Sequence, residues 1–207
     1  MNTIKTILLS LTLLTLHTAK AQSLKEPVAF KLKNGMNVIV SENRQSPKAY
    51  SSFTIDGSTL DAKKDGVLEL FIAVLNESVD GEKGIQFKAR SGRLNTTNSN
   101  LDADLAEMSK SIRSPKIDES VFEAAKTSLL AKIKSNKSDY DQTVNAQSIS
   151  ALSLADVVDF YHHITPENTY LTIAGDVELA TAKEAAKRAF GNWAKAPRII
   201  SNATVSK

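Results

Sequence analysis

Apolar and polar residues alternate along the first part of the chain that follows the N-terminal segment, and this pattern predicts β-strands. Alternation over Ala29–Lys33 stops at Asn34-Gly35 and resumes over Asn37–Val40. Two alternating runs on either side of Asn-Gly predict a β-hairpin. Tyr50–Ile55 alternates in the same way and predicts a third strand.

The segment Gly66–Ser78 is apolar on nearly every side when it is drawn as a helix. A helix without a polar face belongs in a protein core. Glu69 is the only charged residue before the polar end of this segment. The pattern therefore predicts a buried helix that carries one carboxylate near its start.

Two later segments also predict strands. Ile85–Arg90 alternates and is followed by a predicted loop at Ser91-Gly92 and a polar stretch. Thr169–Ala174 predicts a strand that leads into a turn at Gly175-Asp176. The sequence thus predicts four or five strands.

Helical spacing dominates the second half of the chain. Leu101–Ile112 places apolar residues on one helix face, and the pattern stops before Pro115. Asp118 can cap a second helix, and Ser153 with Asp156 resembles a capping box that opens a third. The last predicted helix carries on one face Leu179, Ala182, Ala186, Ala189, Phe190 and Trp193.

Strands that cluster early and helices that cluster later predict an α+β fold. We expect a largely antiparallel sheet with helices packed on one face. No internal repeat, low-complexity tract or linker interrupts residues 22–197. We therefore expect a single domain over 22–197, followed by a flexible tail at 198–207.

Residues 1–21 have the features of a secretory signal peptide. Lys5 precedes a mostly apolar run over Ile7–Leu16, and Ala19-Lys20-Ala21 matches a cleavage site with small residues. The run is shorter than the about 20 apolar residues that a membrane-spanning helix needs. We expect cleavage after Ala21, a secreted or periplasmic protein and no membrane span. A retained N-terminal anchor is the alternative.

Composition argues against several classes of function. Removal of residues 1–21 takes away Lys5 and Lys20, so the formal net charge falls from +3 to +1. A nearly neutral chain with scattered basic residues gives no reason to expect nucleic-acid binding. The sequence has no cysteine, which excludes a thiol nucleophile and a cysteine-ligated zinc site.

Histidine restricts the chemistry further. Only His162 and His163 follow the predicted signal peptide, and neighbours on a helix point about 100° apart. They cannot both ligate one metal ion from a regular helix, so we expect two polar residues near a helix C-terminus. A spatially assembled Ser-His-Asp triad is left open by the sequence, although no Gly-x-Ser-x-Gly motif occurs.

Two segments at opposite ends of the chain resemble one known family. FKLKNGMNVIVSENRQSPKAYSSFTIDGST contains a Phe-x-Leu-x-Asn-Gly hairpin, a proline and a strand that ends in Gly-Ser, and its matching residues are Phe30, Leu32, Asn34, Gly35, Pro47, Gly57 and Ser58. LSLADVVDFYHHITPENTYLTIAGDVELATAKEAAKRAFGNWAKAP contains Tyr, Pro and Asn, a strand that ends in Gly-Asp and a helix that ends in Phe-Gly-x-Trp. Its matching residues are Tyr161, Pro166, Asn168, Gly175, Asp176, Phe190, Gly191 and Trp193. The two segments resemble the opening and the close of the M16 (insulinase/pitrilysin-like) metallopeptidase domain, which implies an M16-like (LuxS/metallohydrolase-like) fold.

The resemblance also implies where a catalytic site would lie. Active members begin the helix after the third strand with Gly-x-x-His-x-x-Glu-His, which supplies two zinc ligands and a general base. Here Glu69 takes the first His position, Ile72 the Glu position and Ala73 the second His position. The third ligand of active members is a Glu on a later helix, and residues 124–138 contain no carboxylate. A catalytic zinc site uses three protein ligands and a water, so we expect no catalytic residue, metal site or cofactor.

The resemblance leaves three functional hypotheses. The first is an exported, non-catalytic M16 homologue, not an enzyme, that acts as a subunit or as a module that binds peptides or proteins. The alternative is a component of a zinc metallopeptidase whose metal site is supplied by an M16-family partner chain. The third is a remnant without a selected activity. Because active members join several such domains around a chamber, we expect a homodimer or association with an M16-family partner chain.

Overall fold

A computed structural model describes residues 25–45, 47–57, 63–79, 84–135 and 143–194. The strands within these ranges are β1 (Val28–Lys31), β2 (Asn37–Glu42), β3 (Ala49–Ile55), β4 (Ile85–Lys88), β5 (Ser91–Thr96) and β6 (Thr169–Gly175). The helices are α1 (Val67–Ser78), α2 (Leu101–Arg113), α3 (Glu119–Ser135), α4 (Ala146–Ala151), α5 (Leu154–His162) and α6 (Leu179–Phe190). A short 3₁₀ helix, Pro166–Asn168, precedes β6.

The strands form one mixed sheet in the order β1-β2-β6-β3-β5-β4. β1 and β2 form the predicted hairpin, with Phe30 opposite Val38. β3 is antiparallel to both of its neighbours, β5 and β6, whereas β2 and β6 run parallel with Val40 opposite Ile173. The predicted α+β fold with a largely antiparallel sheet is confirmed, and the β2–β6 pair makes the sheet mixed.

Alternate side chains of the central strands enter the core. Phe53 of β3 and Leu171 of β6 are buried beneath the helices, whereas their chain neighbours Ser52 and Thr172 point the other way and are partly exposed. Helices α1, α2 and α6 contact strands of the sheet, and their buried residues belong to the same hydrophobic core. The face opposite these helices, called the open face below, carries the polar positions of the strands.

The prediction of a loop at Ser91-Gly92 is wrong, because these residues begin β5. Gly92, Leu94 and Thr96 face the core and are buried. Because Gly92 and Thr96 are not strongly apolar, Leu94 alone marks the inward side of β5, and the sequence there shows no alternation of apolar and polar residues. The sheet has six strands rather than four or five for the same reason.

The helices predicted from spacing and capping residues are confirmed, and the structure adds the short helix α4. Asp118 Oδ1 accepts a backbone hydrogen bond of 2.9 Å at the start of α3, and Ser153 and Asp156 form the predicted capping box of α5. α4 lies in a segment whose apolar spacing does not predict a helix. Asn145 caps α4 by accepting from two backbone N–H groups, so a local polar signal does mark its start.

Trp193 does not share the buried face of the last helix, in contrast to the prediction from its spacing. α6 ends at Phe190, so Trp193 lies beyond the helix and is half-buried. Its ring packs against Phe53 and Phe190, with centroid separations of 6.1 and 6.3 Å. Trp193 therefore covers the edge of the core, whereas Phe190 is fully buried as predicted.

None of the described helices is both long enough and apolar enough to cross a membrane. The predicted signal peptide at 1–21 and the predicted tail at 198–207 lie outside the described residues, as does Ser58 of the first resemblance segment.

Candidate functional site

The helix that would carry metal ligands in active M16 members starts at a backbone position that requires glycine. Gly66 is the N-cap of α1 and has a φ of 84°. A Cβ at this position would lie 2.4 Å from Ile149 Cδ1 of α4. Glycine avoids both the strained backbone and the clash. α4 therefore packs directly over the start of α1.

The three degenerate motif positions lie in the first turns of α1 and have different surroundings. Ile72 is 7% exposed and belongs to the hydrophobic core. Glu69 and Ala73 are one helical turn apart on one side of α1, and both are partly exposed. Glu69 forms no hydrogen bond or ion pair with any described residue. Its carboxylate lies in the first turn, where a negative charge interacts favourably with the helix dipole.

The donor groups at these positions do not fit zinc. Three protein ligands are needed for a catalytic zinc site, whereas Glu69 supplies one carboxylate and the side chains of Ile72 and Ala73 supply no donor. In the rest of the described chain, no group of three His, Asp or Glu residues could hold a metal ion. No metal-dependent step follows from this helix.

α3 packs along α1 and holds α4 in place. Lys126 of α3 donates hydrogen bonds to the backbone oxygens of Ser150 and Leu152, at 3.0 and 2.7 Å. Its ammonium also lies 5.3 Å from the centre of the Phe122 ring. α3 therefore presents a cation at the end of α4, and the contacts of this cation are structural.

Asn34 connects the two segments that carry the resemblance. Its side chain is buried, and Nδ2 donates to the backbone oxygens of Phe190 at 2.8 Å and Trp193 at 3.2 Å. The N–H of Met36 donates to Asn34 Oδ1 at 3.3 Å. The Asn-Gly hairpin and the Phe-Gly-x-Trp motif therefore form one junction in space. These motif residues stabilise the fold.

Other motif residues are also engaged in structural contacts. Tyr161 Oη donates to the Arg113 carbonyl at 2.6 Å, and burial raises the pKa of the Tyr161 phenol. Asn168 Nδ2 donates to the His163 carbonyl at 2.8 Å. Gly175 has a φ of 111°, and a Cβ there would lie 2.2 Å from the carbonyl oxygen that precedes β3. The Gly-Asp turn is thus a close approach of two backbone segments.

The two histidines lie at the C-terminal end of α5, as predicted, and both are exposed. His163 Nδ1–H donates to the Asp159 carbonyl at 2.7 Å. His163 also lines a shallow cleft beside the ion pair of Lys64 and Asp156, whose nearest atoms are 2.7 Å apart. The Lys64 ammonium holds the pKa of Asp156 below its ordinary value. The ion pair in this cleft leaves no marked charge for a ligand.

The edge of the sheet at β4 is closed by Asn76, a side chain that no sequence motif marks. Asn76 Nδ2 donates to the Phe87 carbonyl at 2.8 Å, and the Phe87 N–H donates to Asn76 Oδ1 at 2.9 Å. One amide therefore pairs with both backbone groups of an edge residue, as a neighbouring strand would. Such pairing prevents the addition of another strand at this point.

The open face presents a second surface that no sequence motif marks. The outward side chains of β3, β5 and β4 are Tyr50, Ser52, Thr54, Ser91, Arg93, Asn95, Gln86 and Lys88. Arg93 and Lys88 are exposed, and the exposed fraction of Tyr50 is 44%. No carboxylate occurs among these outward residues. We call Tyr50, Arg93 and Lys88 the open-face patch.

Comparison with known proteins identifies the fold but no sequence relative. No family model and no curated protein matches this sequence. The periplasmic protease PqqL from Escherichia coli aligns with a TM-score of 0.70 at 11% identity, over 83% of this chain and 24% of that chain. Pitrilysin aligns with a TM-score of 0.68 at 13% identity, over 84% of this chain and 24% of that chain. An inactive M16 peptidase domain from Pseudomonas fluorescens aligns with a TM-score of 0.63 at 18% identity, over 80% of this chain and 50% of that chain.

These structures confirm the expected M16-like fold. The chain spans between a quarter and a half of the length of the three solved chains. At such low identity the likeness concerns the fold alone. One of these three structures, the domain from Pseudomonas fluorescens, is itself described as inactive.

Proposed function

We propose that this protein is an exported, non-catalytic M16-like domain that acts as a subunit or as a module that binds peptides or proteins. The proposal concerns the site rather than the fold, because one fold can serve many functions. It also includes export by the N-terminal segment at 1–21, with cleavage after Ala21.

The observation that carries the proposal is the chemistry of α1. A zinc peptidase of this type needs two imidazoles and a carboxylate at the positions of Glu69, Ile72 and Ala73. The structure has one partly exposed carboxylate, one buried isoleucine and one alanine there. Because Ile72 is part of the core, a water molecule has no acceptor at the general-base position.

The residues that match the family support the same proposal. Asn34, Phe190 and Trp193 hold the two ends of the domain together, and Gly175 allows two backbone segments to meet. The matching residues therefore preserve the fold, while the three positions that correspond to the catalytic motif offer a single donor group, the Glu69 carboxylate. A domain with this combination can still present surfaces to a partner.

The alternative is that the protein forms part of a zinc metallopeptidase whose metal site lies on an M16-family partner chain. This alternative is favoured by the length of the solved structures, because this chain aligns with about a quarter or a half of each of them. In that arrangement the protein would supply part of the chamber wall and contacts to the substrate.

The first prediction is that the purified protein contains no stoichiometric zinc and hydrolyses no peptide. Elemental analysis of the protein after dialysis against zinc measures the bound metal. Hydrolysis of a fluorogenic peptide mixture, with and without chelator, measures peptidase activity. One tightly held zinc per chain with chelator-sensitive hydrolysis would overturn the proposal.

The same preparation separates the proposal from its alternative. Crosslinking in the native compartment, followed by sedimentation of the recovered species, shows whether the protein is a homodimer or is bound to a longer chain. A partner that carries His-x-x-Glu-His and gains peptidase activity from this protein would establish the alternative. Activity of the partner that is unchanged by this protein would count against it.

A further inference from the structure

The open-face patch carries two exposed cations, Arg93 and Lys88. Arg93 and Lys88 form no hydrogen bond or ion pair through their side chains with any described residue. Arg188 of α6, by contrast, forms an ion pair in which its Nη2 lies 2.8 Å from Asp102 Oδ1 of α2. The open-face patch therefore carries positive charge that the described chain does not neutralise.

A carboxylate at the end of β3 is already engaged. Asp56, directly after β3, accepts a hydrogen bond of 3.0 Å from Tyr170 Oη. This hydrogen bond raises the pKa of Tyr170, because the neighbouring carboxylate disfavours the phenolate. Asp56 lies at the far end of β3 from Tyr50. Among the described residues no acid pairs with Arg93, so an anionic group of another molecule can do so.

The spacing of the two cations fits an extended chain. Gln86 lies opposite Arg93 in the β4–β5 ladder, so Lys88 is the diagonal neighbour of Arg93. Such diagonal neighbours are about 7–8 Å apart. Alternate residues of an extended peptide are separated by about 7 Å. Two acidic residues at positions i and i+2 can therefore reach both cations at once.

Small side chains and one aromatic ring leave room for this peptide. Ser52 and Thr54 of β3 and Ser91 of β5 lie beside Arg93 and present hydroxyl groups. Thr54 Oγ1 and Ser91 Oγ are 3.1 Å apart, so these hydroxyls are held at fixed positions. Tyr50 is exposed on the same face and offers an apolar surface to a side chain of the peptide.

We propose that the open-face patch binds an extended acidic segment of a partner protein. The inference rests on the proposed binding function and names the chemistry of the ligand. The carboxylates pair with Arg93 and Lys88, and the peptide backbone lies across the hydroxyl-bearing positions of β3 and β5. The edge of β4 takes no part at Phe87, because Asn76 occupies its backbone groups.

Fluorescence anisotropy with a short labelled peptide of alternating Glu and Ser tests the proposal. The comparison peptide has Gln in place of Glu. The double variant Lys88→Gln/Arg93→Gln should weaken binding of the Glu peptide by about fivefold or more. The matched control, Lys132→Gln/Lys134→Gln on the exposed side of α3, removes the same charge and should leave binding within about twofold.

Each outcome bears on the proposal. Equal loss in the two double variants would show an effect of net charge alone and would overturn it. Equal binding of the Gln peptide would overturn the acidic specificity. Binding of a labelled oligothymidylate but not of the Glu peptide would assign the patch to nucleic acid instead. Zinc and peptidase activity in the purified protein would overturn the proposed function. The binding measurements do not depend on zinc, so they test the open-face patch separately.

Discussion

Replacement of Asn34 by Ala tests whether the two ends of the domain are held together by one side chain. Asn34 is 6% exposed, and its amide joins the β1–β2 turn to the end of α6. The substitution removes the two hydrogen bonds that Nδ2 donates and the one that Oδ1 accepts from Met36. The carbonyl of Phe190 keeps a hydrogen bond from the Trp193 N–H, so it does not become wholly unpaired.

The expected destabilisation follows from these hydrogen bonds. A hydrogen bond contributes about 0.5–1.5 kcal/mol net, and a buried group that is left unpaired costs about 1–3 kcal/mol. Because three hydrogen bonds are removed while one carbonyl stays paired, we expect Asn34→Ala to destabilise the fold by about 2–4 kcal/mol. Asn34→Asp keeps the acceptor for Met36 but sets a carboxylate against two carbonyl oxygens. It should therefore be at least as destabilising at neutral pH and should recover in part when the carboxylate is protonated.

Urea denaturation followed by circular dichroism measures the effect. The m-value should stay constant while the midpoint falls, because the substitution changes stability and not the surface exposed on unfolding. Asn95→Ala is the control, since Asn95 is an exposed amide on the open face and should change stability by less than about 0.5 kcal/mol. If Asn34→Ala and Asn95→Ala have the same midpoint, the junction does not hold the domain together and the reasoning is wrong.

Two further predictions concern the two ends of α6. Trp193→Ala should destabilise the fold by about 2–3 kcal/mol, because its ring packs on Phe53 but is partly exposed, whereas loss of a fully buried tryptophan typically costs about 3–5 kcal/mol. An unchanged urea midpoint would contradict this packing. Glu42 accepts a hydrogen bond of 2.7 Å from the Leu179 N–H at the start of α6 and pairs with Lys25. The hydrogen bond from Lys25 has the largest effect on the pKa of Glu42 and the Leu179 N–H the next largest, and both hold this pKa below its ordinary value. The stabilisation is therefore present above the ordinary pKa and is lost as the pH falls through the lower pKa of the folded state. Glu42→Gln should therefore lower the melting temperature at neutral pH and approach the parent protein in acid, and a gap that is the same at both pH values would refute the assignment.

The local elements of this protein could be predicted because neighbouring residues determine them. The Asn34-Gly35 hairpin, the apolar α1 and the Ser153–Asp156 capping box each depend on residues a few positions apart. The expectation that Glu69, Ile72 and Ala73 form no catalytic zinc site also came from the sequence, since the types of side chain at these positions do not depend on the fold, and it stays a prediction. The β5 strand was not predicted because Gly92 and Thr96 occupy two of its three buried positions, which leaves no apolar alternation in the sequence.

Contacts between distant residues required the three-dimensional structure. The parallel pairing of β2 with β6 joins segments more than a hundred positions apart, and no local pattern specifies which strands become neighbours. The partners of Asn34 and the closure of β4 by Asn76 depend on how helices are placed against the sheet. Lys88 and Arg93 look like scattered basic residues in the sequence. Strand pairing brings them to one face, with no acid among the outward residues of β3, β4 and β5, because the alternation of a pleated strand sends its polar residues to the side that the helices leave open.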